Sequence, residues 1–125
     1  MLERAGWYSD RTFNYAKWGP VLNAHSCVLH PRAADFLSRF GGLTIKGKVT
    51  VKFDPTSGLK FIHLPSAIIS ELVAEMGQPL CLIGHELPIA NLFMAADGSV
   101  WALWDAFTQR HKSGLDYIEW LAAKQ

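Results

Sequence analysis

Apolar and polar positions repeat with two different periods along this chain, and the change of period marks its elements. Ala33, Phe36, Leu37 and Phe40 form one stripe at helical spacing, with Arg32, Asp35, Ser38 and Arg39 on the other side. Pro31 suits the first helical position, where a missing N–H costs nothing. Gly41 is the expected left-handed stop, and Gly42 discourages continuation. At Leu43 the period becomes two. Leu43, Ile45, Gly47, Val49, Val51 and Phe53 alternate with Thr44, Lys46, Lys48, Thr50 and Lys52. That pattern predicts a strand with one face in water. Eleven residues are long for one strand. Lys46-Gly47-Lys48 is therefore either the turn of a hairpin or a bulge.

The rest of the chain reads in the same way. Residues 2–5 predict one helical turn, and residues 6–11 a loop with two aromatics. A helix is expected from about Asn14 to Ser26, weakened at Gly19-Pro20. Asp54 to Gly58 is a turn cluster, and Leu59 to Leu64 a short apolar piece. Pro65 to Met76 predicts a helix with Ile68, Leu72 and Met76 in one row and Ile69 and Val73 in the next. Glu71 and Glu75 share its outer face, and Gly77 ends it. Leu80 to Gly84 follows Pro79 as a buried strand, and His85 to Pro88 reads as a loop. Ile89–Ala95 and Ser99–Trp104 flank Asp97-Gly98, a strong hairpin signal. Ser113-x-x-Asp116 starts the last helix, with Leu115, Ile118, Leu121 and Ala122 inward. No internal repeat is present. Helices on one side of a mostly antiparallel sheet are the simplest layering, an α+β fold in a single domain over 1–125.

Composition narrows the class. Half the residues are apolar and 18% are charged, as in a globular domain. No apolar run approaches the ~20 residues of a membrane span. Met1 to Asp10 carries Glu3, Arg4 and Asp10 without a hydrophobic run, so the expected location is the cytoplasm. Cys27 and Cys81 stand alone and are expected as buried free thiols. The net charge of +1 hides an asymmetry. Residues 1–62 hold nine Lys/Arg against four Asp/Glu, and residues 63–125 hold three against seven. Such a chain can present one basic and one acidic surface.

Four constellations bear on chemistry. His25, Cys27 and His30 are metal-capable, but no second cluster completes a structural zinc set. His85-Glu86 lacks a second histidine one helical turn on, and Pro88 forbids a helix there. Glu71 and Glu75 read as a solvated pair rather than an acid–base couple. No nucleophile elbow appears, and Gly41-Gly42 follows a helix rather than preceding one, the reverse of a phosphate loop. Basic residues are not interleaved with aromatics as nucleic-acid binding requires. The absence of catalytic spacing favours binding over catalysis, with no cofactor or metal. Trp101 and Trp104 fall on opposite faces of one strand, and Trp120 lies opposite Leu115, Ile118 and Leu121. Trp104 and Trp120 are thus candidate partner contacts, because aromatics are enriched at binding hot spots.

The order of motifs resembles the SUKH superfamily of bacterial toxin-immunity proteins, most closely its third subfamily. The matching pieces begin with Leu2-x-x-Ala5-Gly6-Trp7-Tyr8 and Arg11. They continue with Pro31 to Leu37 into Phe40-Gly41-Gly42-Leu43, then Phe53-Asp54-Pro55. Gly77-x-Pro79-Leu80-Cys81-x-Ile83-Gly84 and Asp97-Gly98-x-Val100 complete them. The resemblance implies an α+β fold with Gly6, Trp7, Phe36, Phe40, Gly41, Gly42, Pro79, Gly84, Asp97 and Gly98 in structural roles. It implies a protein that binds and neutralises a cognate polymorphic or contact-dependent toxin, commonly a nuclease, in the producing cell. A scaffold or interaction module without a toxin is the alternative within the same superfamily. The short, lysine-rich stretch between Gly42 and Phe53 departs from the family pattern and leaves strand pairing there open. If the toxin is a nuclease, the acidic set Glu71, Glu75, Glu86 and Asp105 is expected to mimic nucleic acid. Direct nucleic-acid or membrane binding is not expected, and the oligomeric state is open.

Overall fold

Six strands follow one another in chain order across a single antiparallel sheet. They are β1 (Thr44–Ile45), β2 (Val51–Lys52), β3 (Leu80–Glu86), β4 (Ala90–Ala95), β5 (Val100–Leu103) and β6 (Phe107–His111). Among the described residues four helices accompany them: α1 (Gly19–Ala24), α2 (Pro31–Phe40), α3 (Ser66–Met76) and α4 (Gly114–Ala123). Short 3-10 turns occupy Glu3–Ala5 and Ala16–Trp18. The computed structural model of the chain describes residues 3–7, 12–56, 66–87, 90–104 and 106–123. The α+β class is as the sequence predicts.

The central strands explain their own composition. Every residue of β3 and β4 is buried, so these strands are nearly continuous apolar runs rather than alternating ones. Their two faces are both covered, a fuller layering than the one-sided arrangement expected from sequence. β3 also runs to Glu86, so His85 and Glu86 are strand residues and not a loop. The register slips between Leu82 and Gly84. At Gly84 a Cβ would lie 2.1 Å from the Lys52 carbonyl oxygen and 2.9 Å from Phe53 Cα. Only glycine lets β2 approach β3 this closely.

The joint between α2 and the sheet corrects one expectation. Gly41 ends α2 with φ −56° and ψ 143°, which is not left-handed. Gly42 takes the positive φ, at 82°. Gly41 is glycine for space: a Cβ there would meet the Leu37 carbonyl oxygen at 2.4 Å and the Phe13 ring at 2.9 Å. Beyond the joint, Thr44↔Lys52 and Ile45↔Val51 pair as a hairpin. Residues 46–50 connect its strands, which settles the open choice at Lys46-Gly47-Lys48. Gly42 N–H donates to Phe53 O at 2.8 Å, and Phe53 N–H to Leu43 O at 2.9 Å, which extend the pairing.

A row of rings ties the layers together. Phe36 lies 5.0 Å from Phe40 and 5.2 Å from Phe53, and Phe53 lies 6.4 Å from Tyr117. Gly114 lets α4 press on α2, since a Cβ there would fall 2.5 Å from the Phe36 ring. Ser113 caps α4 as predicted, its hydroxyl accepting from Asp116 N–H at 3.1 Å.

Several element details differ from the sequence reading. The helix expected over 14–26 is a 3-10 turn followed by α1, with Pro20 in the first turn of α1 where it fits. On α3, Ile69 and Leu72 are buried and Ile68 is exposed. On α4, Tyr117, Ile118 and Leu121 are buried, while Leu115 and Ala122 point outward. Strand β6 was not anticipated: no residue of it is fully buried, so it carries no period-two signal. Asp54 Oδ1 accepts from the Thr56 N–H at 2.9 Å and from the Thr56 hydroxyl at 2.6 Å. Residues 57–58 of that predicted turn, and the apolar piece at 59–64, lie outside the described residues.

Candidate functional site

Among the candidate metal ligands, His30 is committed elsewhere. His30 caps α2, its Nδ1 accepting from Ala33 N–H at 3.2 Å. Nε2 lies 2.8 Å from Met94 O, so it carries the proton and donates. Both ring nitrogens of this buried histidine are thereby used. Cys27 and Cys81 are buried free thiols, as expected. Burial pushes the Cys27 thiol up to about 11 and that of Cys81 higher still. Thiols held this far from ionisation are poor nucleophiles and poor ligands.

The described members of the predicted acidic set differ in exposure. Glu71 and Glu75 are exposed on α3. Glu86 is only 7% exposed. Its Oε2 accepts from the Tyr117 hydroxyl at 2.6 Å, and its Oε1 pairs with Arg110 at 3.0 Å. Burial first, then the Glu86 carboxylate, raises the Tyr117 phenol above its ordinary value. A carboxylate desolvated in this way is held by its partners and is not offered to a ligand. Asp105 lies outside the described residues.

The tryptophans separate clearly. Trp104 is 61% exposed, just past the end of β5. Trp120 is half-buried and packs on Tyr117 (5.9 Å) and His111 (5.5 Å), so α4 uses it to hold β6. Trp101 stacks on Phe107 at 5.0 Å, and its indole N–H donates to the Ser99 hydroxyl at 2.8 Å.

The other motif residues sit in turns, packing contacts and hydrogen bonds where the structure describes them. Trp7 stacks on Phe40 at 6.4 Å, and Gly6 has φ 99°. The Pro79 carbonyl accepts from Ala96 N–H at 3.1 Å. Asp97 accepts from the N–H (2.9 Å) and hydroxyl (2.6 Å) of Ser99, and Gln78 reaches it from the far side of the turn. These bonds, those of Ser99 first, lower the Asp97 carboxyl below its ordinary value. Gly98 has φ 91°, with the Arg32 side chain lying over it.

One open groove of about 300 Å³ runs between α2 and α4, lined by Arg32, Asp35, Arg39, Gly98 and Leu115 over a floor of Phe36 and Met94. Its walls mix two guanidiniums with one carboxylate. Sequence reasoning did not single out Leu87, which is 42% exposed between β3 and β4. Its only signal was a large apolar residue before a proline in a short connection.

A family model described as SUKH-3 immunity protein matches residues 1–123. No curated protein and no solved structure matches the chain.

Proposed function

This chain belongs to the SUKH-3 immunity protein family, and from that premise we propose that it binds and neutralises a cognate toxin of a polymorphic or contact-dependent system. The observation that carries the reading is the extent of the match, which takes in residues 1–123 and so includes every strand and helix described above. Toxin immunity is the role the family points to. The finer claims are ours: inhibition by stoichiometric binding, without catalysis, in the cytoplasm of the producing cell. His30, committed to a helix cap, and Glu86, committed to a buried pair, suit a binding role better than a catalytic one. A nuclease is one target that fits, although Glu86 does not join Glu71 and Glu75 in the acidic surface first expected.

The test is co-expression with the protein encoded by the adjoining reading frame. That protein alone is expected to arrest growth, and the pair to grow normally and to co-purify as a complex. An adjoining protein that is harmless, or that stays toxic beside this chain and does not bind it, sinks the reading.

A further inference from the structure

We propose that two copies of this chain pair antiparallel through the open edge of β6, about a two-fold axis at Thr108. The occupant of the edge is a second copy of the same chain, so the pairing stands apart from the immunity reading above.

Hydrogen bonding fixes which groups of β6 face outward. Ala95 N–H donates to Ser99 O at 2.9 Å, and with the β4–β5 register this makes Phe93–Trp101 and Asn91–Leu103 hydrogen-bonded pairs. The N–H and C=O of Ala102, between them, therefore turn to β6, where Thr108 stands opposite. Trp104 N–H donates to Ala106 O at 3.3 Å, which gives the same alternation from the other direction. Phe107 and Gln109 consequently turn their N–H and C=O away from β5, to the edge of the sheet. Thr108, Gln109 and Arg110 are exposed there. Beyond Gln109 the His111 carbonyl is taken by the Gln109 side-chain amide at 3.4 Å, and Trp120 packs on the His111 ring. The open stretch is thus Phe107 to Gln109.

This stretch matches itself. A two-fold axis through Thr108 sets Phe107 of one copy opposite Gln109 of the other, and each such pair exchanges both backbone bonds. A second copy supplies these groups at the right spacing by symmetry. Thr108 then lies opposite Thr108 of the second copy, a favourable cross-strand pair. Phe107, Thr108 and Gln109 carry no charge, so nothing in the paired stretch repels its copy. Arg110, the one charged side chain of β6, is paired with Glu86 at 3.0 Å. The rings add an apolar contribution. Phe107 stacks on Trp101 at 5.0 Å, and both are half-buried, as is Leu103. Across the axis the two Phe107 rings share one face at diagonal positions, about 7–8 Å apart and within reach of each other. The half-buried patch of each copy thereby continues into that of the other and sheds water. The opposite edge of the sheet is guarded. β1 is two residues long, the turn Glu3–Ala5 packs on it, and exposed Lys46 and Lys48 follow it. Between Phe107 and His111 there is no proline, lysine or carboxylate to do the same.

The experiment is sedimentation equilibrium of the purified full chain over a range of concentrations. The wild-type mass is expected to rise from one chain to two, in the weak regime of an interface below standard size. Gln109→Pro removes an outward N–H and no bond to β5, so it is expected to keep the wild-type melting temperature and to weaken the dimer about tenfold. Thr108→Lys and Thr108→Glu set like charges across the axis, and each alone is expected to weaken the dimer about fivefold. An equimolar mixture of these two is expected to restore it. A wild-type chain that stays monomeric at every concentration overturns the proposal. A dimer that Gln109→Pro and both Thr108 variants leave unchanged also overturns it, since such a dimer uses another surface. A mixture of the Thr108 variants that stays monomeric while the wild type pairs rules out the axis at Thr108. A monomeric wild type whose Gln109→Pro variant loses binding to the protein of the adjoining reading frame gives the edge to a foreign strand instead.

Discussion

Gly84 and Gly77 show why a glycine cannot be interpreted from its letter alone. Gly77 ends α3 with φ 72° in open space. Alanine there costs roughly 1 kcal/mol of left-handed strain. At Gly84 the difficulty is the backbone of β2, with the Lys52 oxygen 2.1 Å from where a Cβ would sit. Gly84→Ala must push β2 away or unpair it, and is expected to cost about 3 kcal/mol or more. Urea midpoints of the two variants check the order. A Gly84→Ala protein as stable as Gly77→Ala would mean that β2 moves freely. Gly41 makes the same point: a helix stop was legible in the sequence, but the Phe13 ring packed against it was not, because that contact joins distant residues.

Among elements, the legible ones signal locally. Helix α2 carries its stripe, its proline and its stop within the stretch itself. The β4–β5 hairpin carries its Asp-Gly turn, and α4 its serine cap. Strand β6 escaped because Phe107, Thr108, Gln109, Arg110 and His111 alternate in neither polarity nor burial. It is placed by β5 on one side and by Trp120 of α4 above His111. Glu86 escaped because its partner Tyr117 is 31 residues away. That bond fastens α4 to β3, so Tyr117→Phe is expected to destabilise the protein by about 2 kcal/mol, the cost of a buried acceptor losing one donor. The edge-on contact of Phe36 with Phe53 would survive, so near-ultraviolet circular dichroism of the variant should stay close to native. A Tyr117→Phe protein as stable as wild type would show that Arg110 and water satisfy Glu86 unaided.

For the whole molecule, charge and pH bring separated elements into one property. His85 is buried in β3 opposite Lys52 of β2. Burial first, and the Lys52 charge second, lower its pKa below the ordinary 6.5. The unfolded chain therefore binds a proton here more readily than the folded one. The stabilising contribution is complete above about pH 6.5 and falls as pH drops through that value towards the lowered native one. Asp97 acts in the same direction at lower pH, from its ordinary 3.8 downwards. Denaturation curves at about pH 7 and about pH 5 are expected to show lower stability at the acid value, with a smaller difference in His85→Gln. An equal difference in both proteins would place the sensitive group elsewhere. None of this was legible from the uneven charge of the two halves of the chain, because β2 from the basic half pairs directly with β3 from the acidic half.

The alternation of connections between the two ends of the sheet has a genetic consequence. Positions 46, 48, 87 and 104 carry exposed side chains on short connections, and the core does not lean on them. Positions 84, 114 and 117 are closed in by neighbouring backbone or rings. A substitution at one end of the sheet is therefore expected to cost less stability than one in its middle. Two descendants of such a gene can differ at several of these exposed positions while inheriting the same fold unchanged.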